Sequence, residues 1–277
     1  MPHVCVIIPT WNRAERLSRA IESVLEQTYR DFELWVVDDG SDDSTQELLK
    51  KHKDQLKTLM LASNRGVSKA RNAGIRASDS EWIAFLDSDD LWHPEKLSRQ
   101  MEQARERRKF KLHFTDEIWI RNGLRVNPGH RHRKREGWIF QPSLELCLMA
   151  PSTVMLKREL LDSCGLFDED LPVCEDYDLW LRITARHPVA LLNEPLMTRH
   201  GGHEGQLSRR HWGMDRFRVQ SLHKILNEVP LKPGDRRAAV RMLRRKCGIL
   251  MEGFRKRGKT GECDYHTALL QEYSAKS

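Results

Sequence analysis

The chain has 277 residues, enough to bury a full core as one large domain or as one domain with an appendage. Hydrophobic residues make up 39% and charged residues 31%, mean hydropathy is −0.64, and no apolar run is long enough to span a bilayer. Six scattered cysteines without a Cys-x-x-Cys pair suggest neither a zinc site nor a disulfide framework, and Met1-Pro2-His3-Val4 leads straight into a strand without a secretory leader, so an intracellular protein with reduced thiols is expected.

The net charge of +7 is unevenly spread. Residues 1–208 carry 30 Lys and Arg against 33 Asp and Glu, whereas 209–277 carry 17 against 7. The basic character therefore belongs to the C-terminal quarter.

In chain order, His3–Ile8 reads as a short β-branched strand stopped by Pro9, with Thr10-Trp11-Asn12 as a loop. Leu17, Ile21, Val24 and Leu25 fall at helical spacing over Ala14–Glu26, and Phe32–Val37 is the next strand, ending in Asp38-Asp39-Gly40-Ser41-Asp42-Asp43. A helix to Lys53 and a strand over Leu56–Leu61 follow. Asn64–Gly74 then turns into a helix carrying Arg65, Lys69 and Arg71, and Trp82–Leu86 forms a fourth strand. This βα alternation predicts a parallel sheet with helices on both faces, whose ligands bind at the carboxyl ends of the strands. Both acidic runs and the Pro9-Thr10 segment lie at those ends.

The run Phe85-Leu86-Asp87-Ser88-Asp89-Asp90 sets three carboxylates within four positions. They repel one another unless a cation shares the site, and Mg²⁺ or Mn²⁺ suits oxygen ligands that leave room for substrate phosphates. A second reading is a solvated turn in which Asp89 or Asp90 caps the helix that Pro94 helps to start. The residues alone leave both open.

Four blocks, Val6–Asn12, Phe32–Ser41, Asn64–Asn72 and Phe85–Asp90, resemble in order and spacing the nucleotide-binding half of a family 2 glycosyltransferase with the GT-A fold. The resemblance implies an α/β architecture: a Rossmann-like, mostly parallel central sheet with helices on both faces. Residues 1–208 would form that domain, with 1–110 its nucleotide-sugar-binding half and 111–208 its acceptor half, and 209–277 would be a small basic helical extension. By the same resemblance Pro9 and Thr10 line the base pocket, Asp39 accepts from the base imide, and Arg71 contacts base or phosphate. Asp87-Ser88-Asp89 matches the Asp-x-Asp signature, with Ser88 among the donor-binding residues, Asp89 the metal ligand and Asp87 nearer the ribose or a metal-bound water.

Further along, Pro94–Lys109 reads as a helix, Lys111–Ile120 as a strand, Asn122-Gly123 as a turn, and Gly129–Arg135 as an exposed basic loop. Pro151–Leu156 resembles the family's strand beside the acceptor. Cys174-Glu175-Asp176-Tyr177-Asp178 matches its acidic pair before an aromatic-rich helix, which implies Asp176 as the base and Glu175 as a holder of acceptor hydroxyls or of the loop; acids at a helix N-terminus are also stabilising without catalysis. Met197–Ser208 resembles the loop that closes over the diphosphate, with Thr198 in place of an aromatic and with His200 and His203 as candidates for metal or phosphate contact. The Gln-x-x-Arg-Trp signature of processive synthases is absent.

The tail reads as helices over Phe217–Asn227, Arg236–Phe254 and Tyr265–Tyr273. Val240, Leu243, Cys247, Leu250 and Phe254 make one apolar stripe among arginines. Two readings stand: a peripheral membrane helix that seeks anionic lipid, and a helical cap packed on the sheet domain. No nucleic acid is expected, for want of aromatic interleaving. The resemblance thus implies an inverting, non-processive enzyme using Mn²⁺ or Mg²⁺ and a nucleotide-diphosphate sugar, with UDP the commonest leaving group. The acceptor would be a glycan or lipid-linked hydroxyl in cell-surface polysaccharide or lipopolysaccharide synthesis, in the cytoplasm or at the inner membrane face. A non-catalytic sugar-nucleotide binder and a nucleotidyltransferase are the alternatives.

Overall fold

The computed structural model describes residues 3–202, 206 and 211–273. Four strands and three helices alternate first: β1 (Val4–Thr10), α1 (Ala14–Leu25), β2 (Phe32–Asp38), α2 (Thr45–Lys51), β3 (Lys57–Met60), α3 (Val67–Arg76) and β4 (Trp82–Phe85). Their pairings, β3 with β2, β2 with β1 and β1 with β4, are all parallel. Strand β1 is buried at every position, so it reads as a continuous apolar run rather than an alternation. Helix α1 turns Leu17, Ala20, Ile21 and Val24 onto one face of the sheet. On the other face α3 lies close to β1, where a Cβ on Gly74 would meet Ile7 Cγ2 at 2.7 Å.

Strand β1 runs through Pro9 and Thr10, beyond the expected stop at Ile8. Pairing with β4 ends at Ile7↔Phe85, so at Pro9 only β2 remains alongside, and a residue without an N–H is tolerated where one flank of the strand is open.

The second half brings β5 (Leu91–Trp92), α4 (Lys96–Glu106), β6 (Leu112–Arg121), β7 (Leu124–Val126), α5 (Phe140–Ser143), β8 (Val154–Lys157), α6 (Arg158–Cys164), α7 (Glu175–Thr184) and β9 (Ala190–Gly201). The sheet order is β3-β2-β1-β4-β8-β6-β9-β5, with β7 on β6. Strand β8 is antiparallel to both β4 and β6, and β6 and β9 are parallel. The parallel half thus passes into a mixed half at β8.

Strand β9 corrects one expectation. Met197–Gly201, read as part of a closing loop, is the end of a twelve-residue strand, because β6 supplies partners as far as Arg121↔Gly201. His203 lies outside the described residues.

The tail forms α8 (Asp215–Glu228), α9 (Pro233–Arg255) and α10 (Thr260–Gln271). Leu243, Cys247, Leu250 and Phe254 are buried in the same apolar cluster as Tyr177 and Leu181 of α7. That stripe is used inside the protein, so it does not lie in a bilayer, and the exposed side of α9 is mostly charged, with Ile249 the large apolar side chain on it. Among the described residues no helix is long and apolar enough to cross a membrane.

Candidate active site

The strand ends converge on a cleft of about 650 Å³. Pro9, Thr10, Asp39, Arg71, Asp87, Ser88, Asp89, Glu175, Asp176 and His200 all line it, although 137 positions separate Asp39 from Asp176.

At the end formed by β1 and β2, Asp39 is buried, and its two carboxylate oxygens accept from the N–H groups of Arg65 and Gly66, each at 2.8 Å. Burial raises the Asp39 pKa, and the two amides pull against it. The carboxylate therefore fixes the turn into α3. Gly40 allows this approach: its φ is +74°, and a Cβ there would meet the Ser63 backbone at 2.7 Å.

The acidic run follows β4, and protein cations meet two of its members. Asp87 accepts from Arg71 Nη2 at 2.6 Å, and Asp89 pairs with Arg13 Nη1 at 2.9 Å. Asp90 is buried, with one oxygen accepting from Ser152 Oγ at 2.7 Å and the other from the His200 N–H at 3.0 Å. Its pKa is driven well up by burial and by the charges of Asp89 and Asp87. Ser152 Oγ also accepts from the Asp87 N–H at 3.0 Å, so one hydroxyl ties both ends of the turn.

Arg71 spans the cleft. Its Nη1 donates to Glu175 Oε1 at 2.6 Å while its Nη2 holds Asp87, and the guanidinium lies 5.1 Å from the Phe167 ring centre. Burial lifts the Glu175 pKa to about 7 against the attraction of Arg71, with the Asp176 charge adding to the rise. Helix α7 begins from Cys174 at φ 63°, a left-handed conformation that costs energy in a residue with a Cβ and sets the direction of the acidic pair. The Asp176 carboxylate accepts from the Cys147 thiol at 3.3 Å; burial, with the Asp176 charge, raises that thiol's pKa far above its usual value.

Sequence reasoning passed over several cleft residues. Arg13 follows β1 and Arg199 lies in the last three residues of β9, so both stand near carboxyl ends of strands, the rule that found Thr10. Arg199 is packed 5.5 Å from the Trp119 ring centre, and it faces Glu117, Asp90, Asp87 and Asp176. Met214 and Arg218 also line the cleft, so the tail contributes to its wall. No local signal marked those two, since only the packing of α8 on α7 brings them there.

Among the described residues no group of three or more His, Cys, Asp and Glu side chains is gathered to hold a metal. Asp89 lines the cleft with its carboxylate paired to Arg13, and His200 Nδ1 is a buried nitrogen with no hydrogen-bond partner. Burial, then the nearby charge of Arg19, lowers the His200 pKa. One or two such side chains beside substrate phosphates fit a Mg²⁺ or Mn²⁺ ion.

The family model described as "Glycosyl transferase family 2" matches residues 5–163. The chain belongs to this family. A similar protein, the UDP-Glc:alpha-D-GlcNAc-diphosphoundecaprenol beta-1,3-glucosyltransferase WfgD of Escherichia coli, is 32% identical over 191 residues, which are 69% of this chain and 73% of the relative. The E. coli enzyme of the same description, WfaP, is 29% identical over 215 residues, or 75% and 80% of the two chains. An uncharacterized glycosyltransferase of Rickettsia felis is 34% identical over 194 residues, 70% of this chain but only 32% of its own length.

Among solved structures, S. aureus TarS 1-349 in complex with UDP-GlcNAc superposes with a TM-score of 0.71 at 21% identity, covering 91% of this chain and 72% of that one. The mannosyltransferase PcManGT of Pyrobaculum calidifontis, in complex with GDP-Man and Mn2+, gives 0.63 at 19% identity, covering 99% and 86%. These matches establish the GT-A fold for this family 2 chain.

Proposed function

We propose that the chain is an inverting glycosyltransferase that moves one sugar from a UDP-sugar to a hydroxyl of a lipid-linked glycan, in cell-surface polysaccharide or lipopolysaccharide assembly at the cytoplasmic face of the membrane. The observation that carries this reading is the single cleft in which Arg71 joins Asp87 of the Asp-x-Asp turn to Glu175, the neighbour of Asp176. The names of WfaP and WfgD, with their UDP-Glc donor and diphosphoundecaprenol-linked acceptor, and UDP-GlcNAc in TarS support the choice of substrates.

In this mechanism Pro9 and Thr10 flank the base and Asp39 meets its imide edge, holding the nucleotide at the ends of β1 and β2. Asp87 faces the ribose and Ser88 the donor. Asp89 and the His200 ring would hold a divalent ion, whose chemistry there is neutralisation of charge on the leaving diphosphate. Asp176 takes the proton of the acceptor hydroxyl as its oxygen bonds to the anomeric carbon, while the bond to the diphosphate breaks on the opposite face and its electron pair leaves with the nucleotide. Glu175 and Arg71 hold the start of α7 in register with the Asp-x-Asp turn. A base acts only in the chemical step, so Asp176→Asn should keep UDP affinity within about twofold and lower kcat by about 10²-fold or more. Transfer by the variant at the wild-type rate would sink the assignment; equal UDP affinity with no transfer by the wild type would instead favour a non-catalytic binder.

A further inference from the structure

A second, smaller cavity of about 270 Å³ adjoins the cleft, sharing His132, Leu146 and Arg218 with it. The structure assigns to this cavity, on our reading, the phosphate or diphosphate of an acceptor carried on an apolar chain. This rests on the transferase reading above and adds where the anionic end of the acceptor is held.

Four cations face the cavity: Arg131 from the short 3-10 turn His130–His132, Arg218 from α8, and Arg245 and Lys246 from α9. Among the described residues that line it, Glu145 and Asp215 oppose them, which leaves two positive charges in excess. Asp215 is already shared by Lys246 at 2.8 Å and Arg218 at 2.9 Å, and Arg245 lies 3.6 Å from Glu145. Arg218 Nε is buried and has no hydrogen-bond partner. His132 lines both cavities, and burial, then the charges of Arg131 and Arg199, lowers its pKa. An excess of guanidinium groups lining a cavity suits an anion whose several oxygens accept forked hydrogen bonds.

The outer rim is apolar. Ile249 is 55% exposed and Met242 is half-buried beside it, both on α9. A phosphate between the arginines with a hydrocarbon along Ile249 matches an amphiphile better than a free anion. The shared wall at Arg218 and Leu146 then leads from that phosphate into the cleft that Asp176 lines.

Calorimetry on the full chain saturated with UDP tests this, because the nucleotide already fills the donor site. Farnesyl diphosphate should bind one per protein and about tenfold or more tighter than inorganic pyrophosphate, the difference being the value of the chain on the apolar rim. The exposed-site double variant Arg131→Glu/Arg245→Glu, with its fold checked by a melting curve, should weaken both probes about tenfold or more. Ile249→Asp should remove the farnesyl advantage while leaving pyrophosphate bound. Equal affinity for the two probes would mean a free-anion site and overturn the proposal. So would the absence of binding to the UDP-saturated protein, or charge reversal without effect. Failure of the wild type to bind UDP at all would strike the donor reading instead.

Discussion

Glu175 sits where two demands conflict. Its carboxyl is buried beside another acid, which favours the protonated form, yet it is bonded to a guanidinium, which favours the ionised one; burial prevails and its pKa rises from 4.5 to about 7. A carboxyl raised in the native state stabilises the fold fully below its unfolded value of 4.5, and this contribution disappears as pH climbs through about 7. Urea unfolding of the wild type should therefore show a loss of stability between these limits that Glu175→Gln flattens. Parallel pH curves for the two proteins would contradict the assignment. The identity of this acid was legible in the sequence, because the Glu-Asp pair before a helix has a recognisable form. Its partner was not: Arg71 lies 104 positions away, and sequence reasoning assigns it to the base or phosphate of the donor rather than to this acid.

At the scale of elements, the strands and helices of the first ninety residues could be read from apolar runs and helical spacing, because β1, β2 and β4 are short buried runs and α1 buries one regular face. The long strand β9 could not. Its second half, Thr198-Arg199-His200, is polar and shows no alternation, and it is held extended by pairing to β6, which no local pattern announces. The tail illustrates the same limit differently. The stripe on α9 was visible, but an apolar stripe fits a membrane surface and a protein core equally well until its neighbours are known. Phe254 is 1% exposed and packs in the cluster that also contains Tyr177, one residue from Asp176. Phe254→Ala should cost about 3–5 kcal/mol. Because α7 rests on that cluster, activity per folded molecule should fall as well; a destabilised variant with unchanged kcat would show that the tail supports α7 only as bulk.

The whole molecule is a sheet that changes character at β8. Its parallel half carries the Asp39 end of the cleft, its mixed half carries the far wall, and Met214 and Arg218 at the start of the helical tail complete the rim. Composition separates a basic tail from a nearly neutral body. It could not foretell that a tail arginine, Arg218, reaches the cleft, because that depends on how α8 docks. The fold class was thus open to sequence reasoning through repeated local patterns, whereas the partners of each charged group emerged only from tertiary packing.

The bidentate grip of Arg71 has a thermodynamic corollary. Under the proposed function the two carboxylates that Arg71 holds belong one to the donor site and one to the acceptor site, so the two binding equilibria become conditional on one another, and linkage requires the factor to be equal in both directions. UDP should change acceptor affinity by the same ratio as the acceptor changes that of UDP. In Arg71→Lys, whose single ammonium lacks the planar fork, the ratio should move towards one. A ratio left intact by that substitution would show that the two territories communicate by another route.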